Sequence, residues 1–281
     1  MTPVDPSAGE IAPAPWVGDV LRLAHGIRRR ALEVTIAKNG SYLCQACSGA
    51  EILATLHGRV MDRGSGDLFV LSPAHYALAL YATLVELGEL PEEELERYSD
   101  DGALLEMIPS GSAPGMLFTT GSLAQALSQS IGLTLARRMR GIPGRVFVYV
   151  SDGELQEGQT WEALMAARHY GLRELVILLD LNDSQVDGSP DDVMRVEPVL
   201  DKLRAFGLDA VEIDGHEPLQ IASAVESRQS SLPRAVACRT VMWQGIPSLA
   251  ERANLHFVRF REGEADQARA DLGLPGPGSR R

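Results

Sequence analysis

Residues 145–188 read RVFVYVSDGELQEGQTWEALMAARHYGLRELVILLDLNDSQVDG and hold a complete strand, helix, strand unit. Val146 to Val150 is a short apolar run rich in β-branched and aromatic residues, stopped by Ser151-Asp152-Gly153. It predicts a buried parallel strand ending at a turn. Trp161, Leu164, Met165 and Ala167 then recur at helical spacing as one apolar side, and Gly171 stands where a C-terminal cap belongs. Leu175 to Leu181 is a second apolar run, ended by Asn182-Asp183-Ser184. Polar residues therefore close both strands, and in open α/β sheets ligands bind outside the carboxyl ends of the strands.

The identity of those polar residues suggests a chemistry. Asp152 offers a carboxylate oxygen, Asn182 a neutral amide oxygen, and the turn after Asn182 a backbone carbonyl. Such a set suits an oxygen-preferring cation, Mg²⁺ or Ca²⁺. It is incomplete: Mg²⁺ takes roughly six oxygens near 2.1 Å and is commonly completed by phosphate and water, so a phosphorylated cofactor is expected beside it. Gly153 has no side chain to keep a phosphate away from its backbone N–H.

DGELQEG, the WEA after it and LNDSQVDG, with Asn182 thirty residues beyond Asp152, resemble the thiamine diphosphate signature in the form it takes in the transketolase family. The resemblance implies thiamine diphosphate and Mg²⁺ (or Ca²⁺) as cofactors, with Asp152, Asn182 and Ser184 as metal ligands and Gly153 beside the diphosphate. It carries over to His75, in a Ser-x-x-His after the strand 67–72, as a histidine close to the cofactor. Gly121 and Leu123, in TTGSLAQALS, match the segment that wraps the cofactor, and His256 matches a late histidine on the diphosphate and substrate side. Glu157 matches an acid at the subunit interface that communicates between active sites.

Three departures from the family pattern bear on substrate. Tyr42 stands where a sugar-handling histidine is usual, the loop 108–117 has no histidine, and Leu117 takes a glutamate's place. Together they point away from the common pentose phosphates, although Tyr42 by itself could simply fill space. Relatives also use a carboxylate facing the aminopyrimidine, carried on a second domain. The resemblance spans residues 16–272 and only the first of the family's domains. A separate pyrimidine-binding chain is therefore the expected partner, in an α2β2 heterotetramer acting on a small sugar or keto substrate. Two alternatives stay open: a subunit of another thiamine enzyme with an α-keto acid donor, and a non-catalytic scaffold.

The rest of the chain is read outward from this unit. At 281 residues and 45% hydrophobic it can bury a full core. One large α/β domain is expected over residues 16–272, a parallel sheet with helices on both faces, with flexible segments at 1–15 and 273–281. The formal net charge of −12 argues against nucleic acid or anionic membrane as partner. No run of about 18 apolar residues exists, and the N-terminus lacks signal-peptide regions, so a cytoplasmic address is expected. Cys44, Cys47 and Cys238 read as buried structural cysteines, since no second pair accompanies Cys44-x-x-Cys47. Further expectations are a helix over 16–37, and one beginning near Ser48 with a Ser48/Glu51 capping box. Residues 88–99 should form a solvated helical turn, and 123–140 a helix that absorbs Ala124 and Ala126 where relatives have glycines. His216 reads as a structural residue at a sheet edge.

Overall fold

A computed structural model describes residues 14–227 and 231–275. The expected arm and tail fall mainly on residues 1–13 and 276–281, outside the described residues. Five strands, β1 (Leu68–Leu71), β2 (Val146–Ser151), β3 (Leu175–Leu181), β4 (Asp209–Asp214) and β5 (Arg234–Arg239), form one sheet in the order β1-β2-β3-β5-β4. Every pairing is parallel. The register sets Ser151 beside Asp180 and Asp180 beside Cys238. The residues just beyond the strands therefore share one edge: Ser72, Asp152, Asn182 and Thr240.

Ten helices surround the sheet among the described residues: α1 (Pro15–Ala37), α2 (Leu43–Thr55), α3 (Ala77–Glu86), α4 (Glu92–Glu96), α5 (Gln125–Met139), α6 (Gly158–His169), α7 (Pro190–Val193), α8 (Val199–Ala205), α9 (Pro218–Glu226) and α10 (Glu264–Asp271). Successive strand residues point to opposite faces, and two cores follow from that alternation. Phe147, Tyr149, Val176, Leu178 and Val236 pack with α1, α2, α3 and α9. Val146, Val148, Val150, Ile177 and Leu179 pack with α5, α6 and α8. The expected sheet with helices on both faces is what forms.

Four local expectations are corrected. Helix α2 starts at Leu43, five residues before Ser48, and all of it is buried, so no cap forms at Ser48. Ser48 instead donates from its hydroxyl to Asp180 (2.7 Å). Glu51 faces Arg28 of α1, whose guanidinium forks onto both carboxylate oxygens, and also meets His216 Nδ1 at 2.9 Å. His216 Nε2 accepts from the Val241 N–H (2.9 Å), which places it structurally, as read from the sequence. Met165 is 55% exposed, because α6 buries Thr160, Ala163, Leu164 and Ala167 instead. In residues 88–99 the glutamates are wet, but Leu90, Leu95 and Tyr98 are buried. Finally, α5 begins at Gln125 and Ala124 precedes it with φ +63°, a left-handed conformation that costs a non-glycine residue about 1–2 kcal/mol. Ala124 is thus a turn residue, and its side chain is not absorbed by a helix. The three cysteines are free and buried.

Candidate active site

Strand β2 delivers Asp152 into a one-turn 3₁₀ segment, Asp152–Gln156, and a capping box forms there. The Ser151 N–H donates to Glu154 Oε2 (2.9 Å) and the Ala124 N–H to Glu154 Oε1 (2.9 Å), while Ser72 donates its hydroxyl to the same carboxylate. Glu154 thereby ties the ends of β1 and β2 to the head of α5. Burial pushes its carboxyl above the usual range, against those hydrogen bonds. The Ser-x-x-Glu spacing of Ser151 and Glu154 is the sequence signal for this box.

Asp152 is 4% exposed. It accepts from two backbone N–H groups, Gly153 (2.8 Å) and Asn182 (3.3 Å). Burial first, and the nearby Asp180 second, push its carboxyl up to about 7. A buried carboxylate without a cationic partner is expensive to ionise, and a divalent cation reverses that balance. A divalent cation held by Asp152 would therefore bind about tenfold more weakly at pH 6 than at pH 8, as the proton competes for the carboxylate; titration calorimetry at both values checks this. The sign is opposite for the cation-free fold, where this raised acid contributes stability that is lost as pH rises from 3.8 toward about 7.

Asn182 follows β3, and its amide is held on both sides. Nδ2 donates to the Tyr76 hydroxyl (3.0 Å) and to Asp180 Oδ2 (3.2 Å), while Oδ1 accepts the Ser184 N–H (3.2 Å). Asp183 takes φ +55° and turns the chain, so that Ser184 comes back beside the end of β2. Gly153 has nothing within 4 Å of the place a Cβ would occupy, which leaves that side open.

Rings close the far wall. Tyr42, His75 and His256 lie mutually 5.0–5.4 Å apart between centroids. Burial first, and His256 second, push His75 down to about 3, so it is a neutral imidazole at pH 7. Burial lowers His256 as well. Gln45 donates from its amide to the His256 carbonyl (3.0 Å) and lines the same space.

A cavity of about 400 Å³ is lined by Tyr42, His75, Gly121, Leu123, Asp152, Gly153, Glu157, Ser184 and His256. Asn182 lines an adjoining cavity of about 510 Å³, which shares Ser184 and Met242 with the first. All the candidate site residues named from the sequence thus come together at one edge of the sheet. Glu157 is an exposed residue on the rim, at the N-terminus of α6. Leu117 is elsewhere, 44% exposed beside a separate cavity with Leu80, Leu84 and Met116. Sequence reading missed Glu154, Asp180, Tyr76 and Gln45. Asp180 is legible as the one carboxylate inside an apolar strand; Tyr76 and Gln45 carry no local signal.

These residues fit a cation and a phosphorylated cofactor: an uncompensated buried carboxylate, an amide oxygen turned away from its acceptor neighbours, and a bare glycine beside them. Among the described residues no group of three His, Cys, Asp or Glu side chains makes a metal site alone, so phosphate and water oxygens would have to complete one. No described helix is long and apolar enough to cross a membrane. Fold and site together define an α/β cofactor-binding domain whose ligands gather at the carboxyl ends of parallel strands.

The chain belongs to the transketolase family, residues 59–278 matching "Transketolase, thiamine diphosphate binding domain". Its relatives include a putative uncharacterized transketolase family protein, y4mO, of Sinorhizobium fredii, 37% identical over 87% of this chain and 92% of that one. A 6-deoxy-6-sulfo-D-fructose transketolase subunit, SqwG, of a Clostridium species is 34% identical over 90% of this chain and 96% of that one. An apulose-4-phosphate transketolase subunit of Actinobacillus succinogenes is 30% identical, with 89% and 94% covered. The fold is that of the Campylobacter jejuni transketolase (TM-score 0.84, 21% identity), which covers 92% of this chain while this chain spans 43% of it. The family is one of thiamine diphosphate-dependent transferases.

Proposed function

We propose that this chain is the diphosphate-binding subunit of a two-component transketolase, transferring a two-carbon ketol or related acyl unit to an aldehyde or ketone acceptor. The observation that carries this reading is the near full-length match to relatives named as transketolase subunits, over 96% of one and 94% of another. As in an enzyme of two kinds of subunit, the carboxylate that faces the aminopyrimidine is to come from a separate pyrimidine-binding subunit in an α2β2 assembly. The functional domain is taken as residues 16–272.

Asp152, Asn182 and the Ser184 carbonyl would hold Mg²⁺ or Ca²⁺, with the Gly153 side of the turn against the diphosphate. Gly121, Leu123, His75 and His256 would surround the rest of the cofactor, and Glu157 would meet the neighbouring subunit. Thiamine diphosphate, when bound, supplies the nucleophilic carbon for breaking and making carbon–carbon bonds. The protein supplies placement, and His75, held neutral, offers one donor and one acceptor nitrogen toward a hydroxylated substrate. Tyr42, packed on both His75 and His256, and the histidine-free loop 108–117 support an uncommon substrate, as do relatives named for sulfofructose and apulose phosphate. The three free, buried cysteines support a reducing, cytoplasmic setting.

Co-expression with the product of the adjacent reading frame tests this. The expected result is a stable complex that binds thiamine diphosphate only with a divalent cation and moves a two-carbon unit from a ketose phosphate donor. Decarboxylation of an α-keto acid without ketol transfer would instead place it among the other thiamine enzymes. Absence of cofactor binding in a folded complex would leave a scaffold.

A further inference from the structure

We propose that Asp180 and Tyr76 are positioning residues that lock the Asn182 amide with its oxygen toward the cation; this rests on the cofactor-site reading above. Asp180 is fully buried in β3, where the flanking residues are leucines. Its side chain is met only by neutral donors among the contacts that define it: Ser48 Oγ (2.7 Å), Tyr149 OH (2.9 Å), Tyr76 OH (3.0 Å), Asn182 Nδ2 (3.2 Å) and Thr240 Oγ1. Those donors come from α2, β2, the turn before α3, the end of β3 and the end of β5. A carboxylate taken out of water is retained at a free-energy cost that such donors offset only in part.

The donor and acceptor inventory then decides the amide's orientation. Asp180 Oδ2 is the acceptor in its contacts with Ser48, Tyr149, Tyr76 and Asn182. Tyr76 has one hydroxyl proton and gives it to Asp180, so toward Asn182 it also only accepts. Asn182 therefore faces two acceptors 3.0 and 3.2 Å away and satisfies both with the two hydrogens of Nδ2. Rotating the amide would set its oxygen against two acceptors and forfeit both of the hydrogen bonds that Nδ2 donates. The oxygen is left on the opposite side with the Ser184 N–H, at the strand edge that carries Asp152. Partners of this kind behind a metal ligand typically change metal affinity by about 10–100-fold when removed.

The test measures apparent Mn²⁺ dissociation constants calorimetrically in the two-subunit complex, at one fixed concentration of free thiamine diphosphate for every variant. Tyr76→Phe keeps the ring and its packing on Tyr149 and His75, and is expected to weaken Mn²⁺ about tenfold with the melting temperature of the cofactor-free complex little changed. Asp180→Asn is expected to weaken it about 10–100-fold, since the introduced amide can turn its own NH₂ toward Asn182 and release the lock. The exchange Asp180→Asn with Asn182→Asp should recover most of the affinity, because a carboxylate at 182 presents an oxygen in either orientation; a packing role for Asp180 would not be rescued this way. Single variants binding Mn²⁺ within about twofold of the native complex, or an exchange that folds without recovery, would overturn the proposal. If Asp180→Asn does not fold, Tyr76→Phe alone decides. Asp152→Ala is the control: unchanged Mn²⁺ binding there would sink the cofactor-site reading itself.

Discussion

Replacing Asp152 with alanine is expected to abolish cation-dependent binding of thiamine diphosphate by the assembled complex, and activity with it. The other protein oxygens proposed for the site are a neutral amide and a backbone carbonyl, so Asp152 would bring the formal negative charge to a cation that must also hold a diphosphate. It is 4% exposed, and its backbone donors are fixed in place by the register of β2 against β3. Water cannot substitute for that charge. A ligand at about a hundred times its dissociation constant stabilises the native state by about 2.7 kcal/mol. The native complex should therefore melt several degrees higher with thiamine diphosphate and Mg²⁺ present, and the variant should show no such shift. Because Asp152 repels Asp180 and is costly to ionise, the cofactor-free variant should be at least as stable as the native chain at neutral pH. Loss of binding in a variant that melts normally would separate ligation from folding. A ligand-induced shift of native size in the variant would rule out Asp152 as the ligand.

The second large effect is on stability and lies behind the site. Glu51→Ala is expected to destabilise the chain by about 3–5 kcal/mol, because removing one partner of a buried ion pair leaves the other uncompensated. Arg28 is 6% exposed and forks onto Glu51 while also donating to the Cys47 carbonyl (2.9 Å). His216 shares the same carboxylate and, through Val241, fixes the segment after β5. Burial pushes the Glu51 carboxyl up, but the hydrogen bonds from His216 and Arg28 outweigh it and hold it below the usual range, so the pair is ionised at neutral pH. That depressed value contributes stability above the ordinary carboxylate range, which is lost in acid. Urea denaturation reads the change directly, and the melting temperature should drop on the order of 10 °C. A loss under about 1 kcal/mol would mean that water reaches Arg28 when Glu51 is gone.

Much of the fold is legible in the sequence because its signals are local. Val146 to Val150 and Leu175 to Leu181 are apolar runs that only a doubly covered sheet can bury, and the strands form there. Gly171 has φ +54° at the position expected to cap α6. The errors arise where a local pattern competes with burial. Ser48 and Glu51 carry a capping-box spacing, yet α2 is buried on every side, so their side chains are claimed by Asp180, Arg28 and His216 from other elements. Met165 fits an apolar stripe, yet the sheet lies under Ala163 and Ala167. Ala124 looks helical in sequence and becomes a left-handed turn because Glu154 takes its N–H.

By itself, then, the sequence determined the class of sheet, the two strand ends that matter, and the placement there of Asp152 and Asn182, the oxygen ligands proposed above, since residue type and spacing along one unit specify all three. It also placed His75, Gly121, Leu123 and His256 near that edge, through resemblance to the transketolase family. Tertiary structure alone decided what stands behind them. Asp180, Tyr76, Glu154 and Gln45 act across separations of 30 to 211 residues, through hydrogen bonds that exist only once the strands are in register. A buried polar group must find its partners wherever the fold brings them, and no periodicity along the chain records where that will be.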